Sequence, residues 1–225
     1  MRFSFGAQTN LRFLLSRDKM NQNFRLILQL VFTACFSIQI AIADESTCIS
    51  GFPGHYADRY NELSDGNIHD KMTDLVWKRC VEGSEWDSEK QQCNYPLNSE
   101  NEPDLTKMQF TWQEALTYAQ NDSIKAEKWR VPDIKELASL LDYSCLSINS
   151  PFAIDTKLFD LVNNGLRVFW SASPLTKASK YISINPDHSN LAYSVIFYHY
   201  TAAGVRPAWI NDSNLGLRLV KSIQK

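Results

Sequence analysis

Aromatic and hydrogen-bonding side chains concentrate between residues 193 and 212, near the C-terminal end of the 225-residue chain. Gly204, Pro207 and the pair Asn211-Asp212 mark residues 200–212 as a loop. Tyrosine and tryptophan rings can stack on the apolar face of a sugar, while polar and charged groups fix its hydroxyls. We therefore predict a ligand site on the loops at residues 175–180 and 201–214. Its predicted contacts are Tyr200, Arg206, Trp209, Asn211 and Asp212.

The same stretch allows an alternative in which no ligand is bound. Trp209 could fill the core, and Asn211-Asp212 could be an ordinary turn. Residues 193–200 form a nearly continuous aromatic strand, and alternate side chains of a strand face opposite sides of its sheet. For that strand, burial on both sides is favoured over an exposed binding face.

The first 43 residues have the composition of an export signal. Arg25 precedes an apolar run at residues 26–42, and Ala41-Ile42-Ala43 is a small-x-small cleavage site before acidic residues. Polar interruptions of the run argue against a stable membrane span. A start at Met20 gives a more usual leader length, and a lipoprotein at Cys35 is the weaker alternative because the apolar run continues past it. We predict a periplasmic, secreted or cell-surface protein, with residues 44–64 as a lead-in and residues 65–225 as one domain.

The charge of the exported chain limits its partners. The leader carries five of the 23 basic residues and one of the 25 acidic residues, so 18 and 24 remain, a net charge of −6. Nucleic-acid binding is not expected because it needs a basic surface. A neutral or weakly charged ligand fits this balance better than a polyanion.

Four cysteines remain after the leader: Cys48, Cys80, Cys93 and Cys145. An even number in an exported chain predicts two disulfides, with three possible pairings. Cys80 and Cys93 bracket one short polar loop, which favours their pairing and leaves Cys48 with Cys145. A zinc site is the alternative, but the chain has no C-x-x-C pair.

Motifs for common chemistries are missing from the sequence. The chain has no G-x-S-x-G elbow, no H-E-x-x-H pattern, no phosphate-binding loop and no dinucleotide glycine pattern. Asn185-Pro186-Asp187 and Trp209-Ile210-Asn211-Asp212 resemble fragments of calcium-dependent lectins, although the second has one residue inserted. Because these residues are also ordinary turn formers, turns are favoured over calcium. We expect no catalytic residue, no metal and no cofactor, with calcium as the alternative.

Two short helices are predicted from capping residues followed by apolar periodicity. Asp133, with Glu136 three residues on, should cap a helix after a strand at residues 129–131 that Pro132 ends. Thr111 and Glu114 should cap a second helix that Asn121-Asp122 ends. A hairpin at residues 68–70 and 75–78, an insertion loop at 81–107, an irregular stretch with apolar side chains at 144–164, and strands at 168–171, 181–184, 193–200 and 215–220 complete the order. The predicted core tryptophans are Trp77, Trp112, Trp129 and Trp170.

Three blocks of the chain resemble the Lcl C-terminal domain family. They are Thr111-Trp112-Gln113-Glu114-Ala115, Trp129-Arg130-Val131-Pro132-Asp133-Ile134-Lys135-Glu136-Leu137 and Phe169-Trp170-Ser171-Ala172. The usual patterns are T-W-x-E-A, W-R-L-P-N-x-x-E-L and Y-W-S-S. The hairpin residues 70–77 also match D-x-x-T-G-L-x-W, with Asp74 at the glycine position.

The resemblance implies an α+β, C-type-lectin-like fold, with two helices packed on small antiparallel sheets and long loops. That fold is distantly similar to formylglycine-generating enzyme, and the best-known family member is the tip of a bacterial collagen-like adhesin that binds glycans. We therefore predict a non-catalytic binding domain whose partner is a glycan or a surface protein. The alternatives are a structural subunit of a cell-surface or pilus-like assembly, and an oxidase of the formylglycine-generating type.

Overall fold

The structure is a computed structural model that describes residue 48 and residues 58–146, 150–162, 165–175, 190–198 and 203–223. The chain divides into two compact units, Met1–Glu45 and Ser46–Lys225, and every described residue belongs to the second. The predicted leader, the predicted strand at 181–184 and Tyr200 lie outside the described residues. Within the described ranges, no helix is both long and apolar enough to cross a membrane.

Two groups of short strands flank a central group of three short α-helices in this unit. The strands are β1 (Tyr60–Glu62), β2 (Ile68–Asp70), β3 (Leu75–Trp77), β4 (Glu85–Asp87), β5 (Gln92–Asn94), β6 (Gln109–Phe110), β7 (Val168–Pro174), β8 (Leu191–Ile196), β9 (Gly204–Trp209), β10 (Leu215–Gly216) and β11 (Val220–Ser222). The α-helices are α1 (Trp112–Tyr118), α2 (Asp122–Ala126) and α3 (Ile134–Ala138). Two 3-10 helices span Leu105–Lys107 and Tyr143–Cys145.

The described strands form three sheets. One sheet has the order β1-β2-β3-β11, a second has the order β6-β10-β7-β8-β9, and β4 pairs with β5 alone. Neighbouring strands are antiparallel except β10 and β7, which run parallel. The mixture of helices and small sheets confirms the predicted α+β class.

The single strand predicted at residues 215–220 is wrong, because the chain changes sheets there. β10 pairs with β6 and β7, whereas β11 pairs with β3. Between the two strands, Arg218 turns inward and is 1% exposed. Its guanidinium donates to the carbonyls of Lys78, Arg79 and Asp160, and these bonds hold the crossover against two other segments.

The hairpin predicted from the D-x-x-T pattern is present. β2 and β3 pair antiparallel, with Ile68 opposite Trp77. Asp74 has a φ of 55°, so it adopts the left-handed geometry expected where the family has glycine. Asp70 is fully buried and accepts hydrogen bonds from Arg59 Nε at 2.9 Å and Met72 N at 3.0 Å. The carboxylate therefore closes the turn and holds the segment that precedes β1.

The segment around Trp129 is a corner, and the predicted strand at 129–131 is wrong in extent. Arg130 forms a single bridge with Val220, because Lys128 has a φ of 63° on one side and Pro132 follows on the other. Helix α3 begins after Asp133, whose carboxylate accepts from the backbone N–H groups of residues 135 and 136. The predicted capping box with Glu136 is therefore confirmed.

Helix α1 also has the predicted capping box, in which Thr111 and Glu114 bond each other's backbone N–H. Its predicted end is wrong: the helix stops at Tyr118, and Asn121 caps the separate helix α2. Trp112 is only partly buried, so it is not a full core residue as predicted. Its indole Nε1 instead donates to the Ser171 carbonyl at 2.8 Å and ties α1 to β7.

Two apolar clusters make up the core. One contains Ile68, Trp77, Phe152, Ile154, Phe159, Phe169, Val195 and Phe197, and the other contains Val76, Trp129, Trp170, Ala192, Leu215 and Leu217. The predicted burial of Trp77, Trp129 and Trp170 is confirmed, and so are apolar contacts from the irregular stretch after residue 144. β8 contributes Val195 to the first cluster and Ala192 to the second, which confirms that it is buried on both sides.

Candidate functional site

The stretch predicted as a ligand-binding loop contains a strand. β9 pairs antiparallel with β8 along its whole length, from Leu191 opposite Trp209 to Ile196 opposite Gly204. Among the described strands, β9 stands last in its sheet. Gly204 and Pro207 do not prevent pairing there, because an edge strand tolerates a proline that lacks a backbone N–H. The loop prediction is therefore wrong for residues 204–209.

The side chain of Trp209 lies on the surface. It is 47% exposed, so the alternative in which it fills the core is wrong. Val205 and Pro207 are also exposed and, by the alternation of the strand, share the face of Trp209. These three residues form an apolar row along the edge strand. The turn after the row carries Asn211 and Asp212, and the Asp212 N–H donates to the Trp209 carbonyl at 2.8 Å.

The predicted contacts are not all brought together. Trp209, Asn211 and Asp212 are neighbours at the end of β9, and we call them the Trp209 surface. Arg206 is exposed but projects from the opposite face of β9, because it differs from Trp209 by an odd number of positions. Leu175 is buried, and Tyr200 and residues 176–180 lie outside the described residues.

A second candidate site, which was not predicted from the sequence, lies beside the β4–β5 hairpin. It is a cavity of about 680 Å³, and we call it the hairpin cavity. Its lining includes Trp86, Lys90, Asn94, Tyr95, Lys157 and Asp160. Residues 81–107 were predicted to be an insertion loop, whereas Glu85–Asp87 and Gln92–Asn94 form a paired hairpin within them. Isolated aromatic residues in a polar stretch, such as Trp86 and Tyr95, were the available signal for this site.

Trp86 is held by contacts around its ring. The Arg79 guanidinium carbon lies 4.6 Å from the ring centroid. Gly66 lies so close that a Cβ built on it would be 2.3 Å from Trp86 Cδ1, and its φ of 80° also favours glycine. Arg79 donates to the carbonyls of Gly66 and Lys157 and to the Glu62 carboxylate. The orientation of the indole is therefore fixed by groups that are themselves bonded.

On another part of the lining, a carboxylate is held in place from two sides. Tyr95 OH donates to Asp160 Oδ1 at 2.5 Å, and the Val162 N–H donates to Asp160 Oδ2 at 3.1 Å. Burial and the hydrogen bond to Asp160 raise the pKa of Tyr95 above its ordinary value, so its hydroxyl stays protonated and donates. Burial lowers the pKa of Arg218 to about 10, and its guanidinium remains a cation at neutral pH that binds the Asp160 carbonyl.

Two of the cations that line this cavity are paired with carboxylates of the protein. Lys90 Nζ lies 3.1 Å from Asp87 Oδ2, and Arg79 pairs with Glu62. Hydrogen bonds from the Lys90 N–H and the Asn94 side chain lower the pKa of Asp87 to about 2. Asp87 is thus ionised at neutral pH and neutralises Lys90. Lys157 and the Asp160 carboxylate, also on the lining, add one charge of each sign, so the cavity offers directional hydrogen-bonding groups with little net charge.

Both predicted disulfides are formed. Cys80 pairs with Cys93, which joins the hairpin to the segment that follows β3, and Cys48 pairs with Cys145. Within the described ranges, the single cluster of three possible metal ligands is Cys48, Asp142 and Cys145, and its two sulfurs are bonded to each other. None of these four cysteines carries a thiolate, the species required for metal ligation or for chemistry of the formylglycine-generating type.

Comparison with known protein families identifies the family of this chain. The profile of the Lcl C-terminal domain matches residues 66–220, and the chain therefore belongs to this family. The matched range begins at the turn before β2 and ends at the first residue of β11. No curated protein and no solved structure gives a significant match to the chain.

Proposed function

We propose that this protein is an exported, non-catalytic binding domain that recognises a glycan through the Trp209 surface. The observation that carries the proposal is the 47% exposure of Trp209 at the end of an edge strand. A large apolar ring exposed to solvent points to a binding surface, because folding normally removes such rings from solvent. An indole offers the flat apolar area on which one face of a sugar stacks, and the neighbouring Asn211 and Asp212 can bond its hydroxyls.

The cysteines support both export and the lack of catalysis. Two disulfides are typical of a chain that matures in an oxidising compartment. The same bonds occupy the four cysteines that a formylglycine-generating-type oxidase would draw upon. Binding is thus the function that fits the chemistry of the described surface.

The test is a glycan array with the oxidised protein, followed by calorimetric titration of the best binder. Trp209→Ala should weaken binding at least tenfold while the melting temperature stays near that of the wild type, because the ring is half in solvent. Asp212→Ala should weaken binding by a smaller factor. Met72→Ala is the matched control, since Met72 is 57% exposed in the turn between β2 and β3. Equal affinity in the wild type and Trp209→Ala would contradict the proposal.

A structural subunit is the second candidate, and the apolar row favours it. Val205 is 46% exposed and Trp209 47%, with Pro207 between them, a pattern that also suits a protein–protein contact. Analytical ultracentrifugation distinguishes the two functions. A self-associating protein that Val205→Glu makes monomeric, and that binds no glycan, would support the structural role.

A further inference from the structure

We propose that the hairpin cavity is a second binding site, which takes a neutral, hydroxyl-rich ring such as one sugar unit. It is separate from the Trp209 surface and uses none of its residues. Its volume of about 680 Å³ is within the usual range of small-molecule sites, roughly 300–1,000 Å³. The inference therefore stands or falls independently of the proposed function.

The first reason is the indole of Trp86. The side chain is half-buried and lines the cavity, while Arg79 and Gly66 support the ring. A ring held in this way loses little conformational freedom when a ligand stacks on it, which favours affinity. The guanidinium of Arg79 is a positioning group, because it already bonds Gly66, Lys157 and Glu62.

The second reason is a rigid acceptor on the same lining. The Asp160 carboxylate is oriented by Tyr95 OH and the Val162 N–H, and its backbone carbonyl is bound by Arg218. A carboxylate oxygen has more than one acceptor position, so each oxygen can accept a further hydrogen bond from a ligand hydroxyl. Asn94 and Thr156, also on the lining, add amide and hydroxyl groups of the kind that bind sugar hydroxyls.

The third reason is the charge balance, which selects the class of ligand. Lys90 is paired with Asp87 and Arg79 with Glu62, so these cations are already compensated. The other two charged lining residues, Lys157 and Asp160, have opposite signs. An anionic ligand would have to compete with those carboxylates and would also lie near Asp160. A neutral polyol needs no counter-ion and uses the directional donors and acceptors as they stand.

The experiment uses the oxidised protein carrying Trp209→Ala, which removes the Trp209 surface from the measurement. Neutral probes are galactose, N-acetylglucosamine and their disaccharides, and the acidic probe is glucuronic acid. The readout is the indole N–H resonance of Trp86 in a ¹⁵N spectrum, assigned by its loss in Trp86→Phe. We expect at least one neutral probe to shift this resonance and to reach saturation, with a weaker response to glucuronic acid.

Variants then test the two groups that the inference needs. Trp86→Ala and Asp160→Asn should each lower the affinity for the probe that reached saturation at least fivefold, as measured by calorimetry. Trp86→Phe should lower this affinity less, because a ring remains. Met72→Ala is the matched control, since Met72 is an exposed apolar residue that does not line this cavity. Three results would overturn the inference: no neutral probe shifts the Trp86 resonance, glucuronic acid binds more tightly than every neutral probe, or folded Trp86→Phe and Asp160→Asn bind as tightly as the parent.

Discussion

At the scale of single residues, one buried charge closes a turn of this domain. Asp70 is 0% exposed and accepts hydrogen bonds from Arg59 Nε and the Met72 N–H. Its carboxylate therefore joins a turn to the preceding segment. Burial alone would raise the pKa of Asp70, but the hydrogen bonds and charge of Arg59, with hydrogen bonds from Thr73 and the Met72 N–H, together outweigh burial and hold its pKa below the ordinary value. The first aspartate of the D-x-x-T pattern is therefore explained by folding and not by ligand binding.

The lowered pKa of Asp70 gives a pH-dependent prediction. Asp70→Asn should lower the free energy of unfolding at neutral pH by about 1.5–3 kcal/mol, because Arg59 loses its charged partner. A depressed carboxyl pKa stabilises the fold above the unfolded value of 3.8, and that stabilisation is lost as pH falls through the folded value. The difference in unfolding free energy between wild type and Asp70→Asn, measured by urea denaturation, should shrink as the pH falls below 3.8. A difference that stays constant to the lowest pH would assign the effect to packing.

At the scale of elements, the helix starts could be predicted because they are local. Asp133 with Glu136 and Thr111 with Glu114 bond backbone groups within three residues, and the sequence displays both partners. Asp74 at a glycine position likewise predicts its own turn. Caps and tight turns are therefore readable from a few neighbouring residues.

Elements assembled from distant segments could not be predicted in the same way. β6 pairs with β10 across more than one hundred residues, with Gln109 opposite Gly216. Arg218 reaches the carbonyls of Arg79 and Asp160, and this contact brings together the segments that line the hairpin cavity. The edge position of β9 was also invisible in the sequence, and for that reason Gly204 and Pro207 were interpreted as loop residues.

The β4–β5 hairpin depends on one disulfide, and this dependence can be measured. Replacing Cys80 and Cys93 by serine should leave the domain folded but lower its unfolding free energy by about 3 kcal/mol, because the bond closes a short segment. The matched variant without Cys48–Cys145 should lose more, since that bond spans 97 positions and the other spans 13. Urea denaturation of both variants provides the comparison. The reverse order would show that loop entropy does not govern their contributions.

At the scale of the whole molecule, the prediction concerns processing. Ala41-Ile42-Ala43 precedes Asp44 and Glu45, so the exported protein should begin at Asp44 and contain no free thiol. Mass spectrometry of protein recovered from the periplasm or medium measures the N-terminus. Thiol titration of the same sample in denaturant counts its free cysteine thiols. A lipid on Cys35 or a reactive thiol in the mature chain would contradict this prediction.

The change of sheet at residues 215–222 has a consequence for how the domain unfolds. β10 supplies a strand between β6 and β7, and β11 supplies the strand beside β3, so this segment is part of both large sheets. Loss of the segment would remove strand pairing from both sheets at once. We therefore expect the two sheets to open as one cooperative unit.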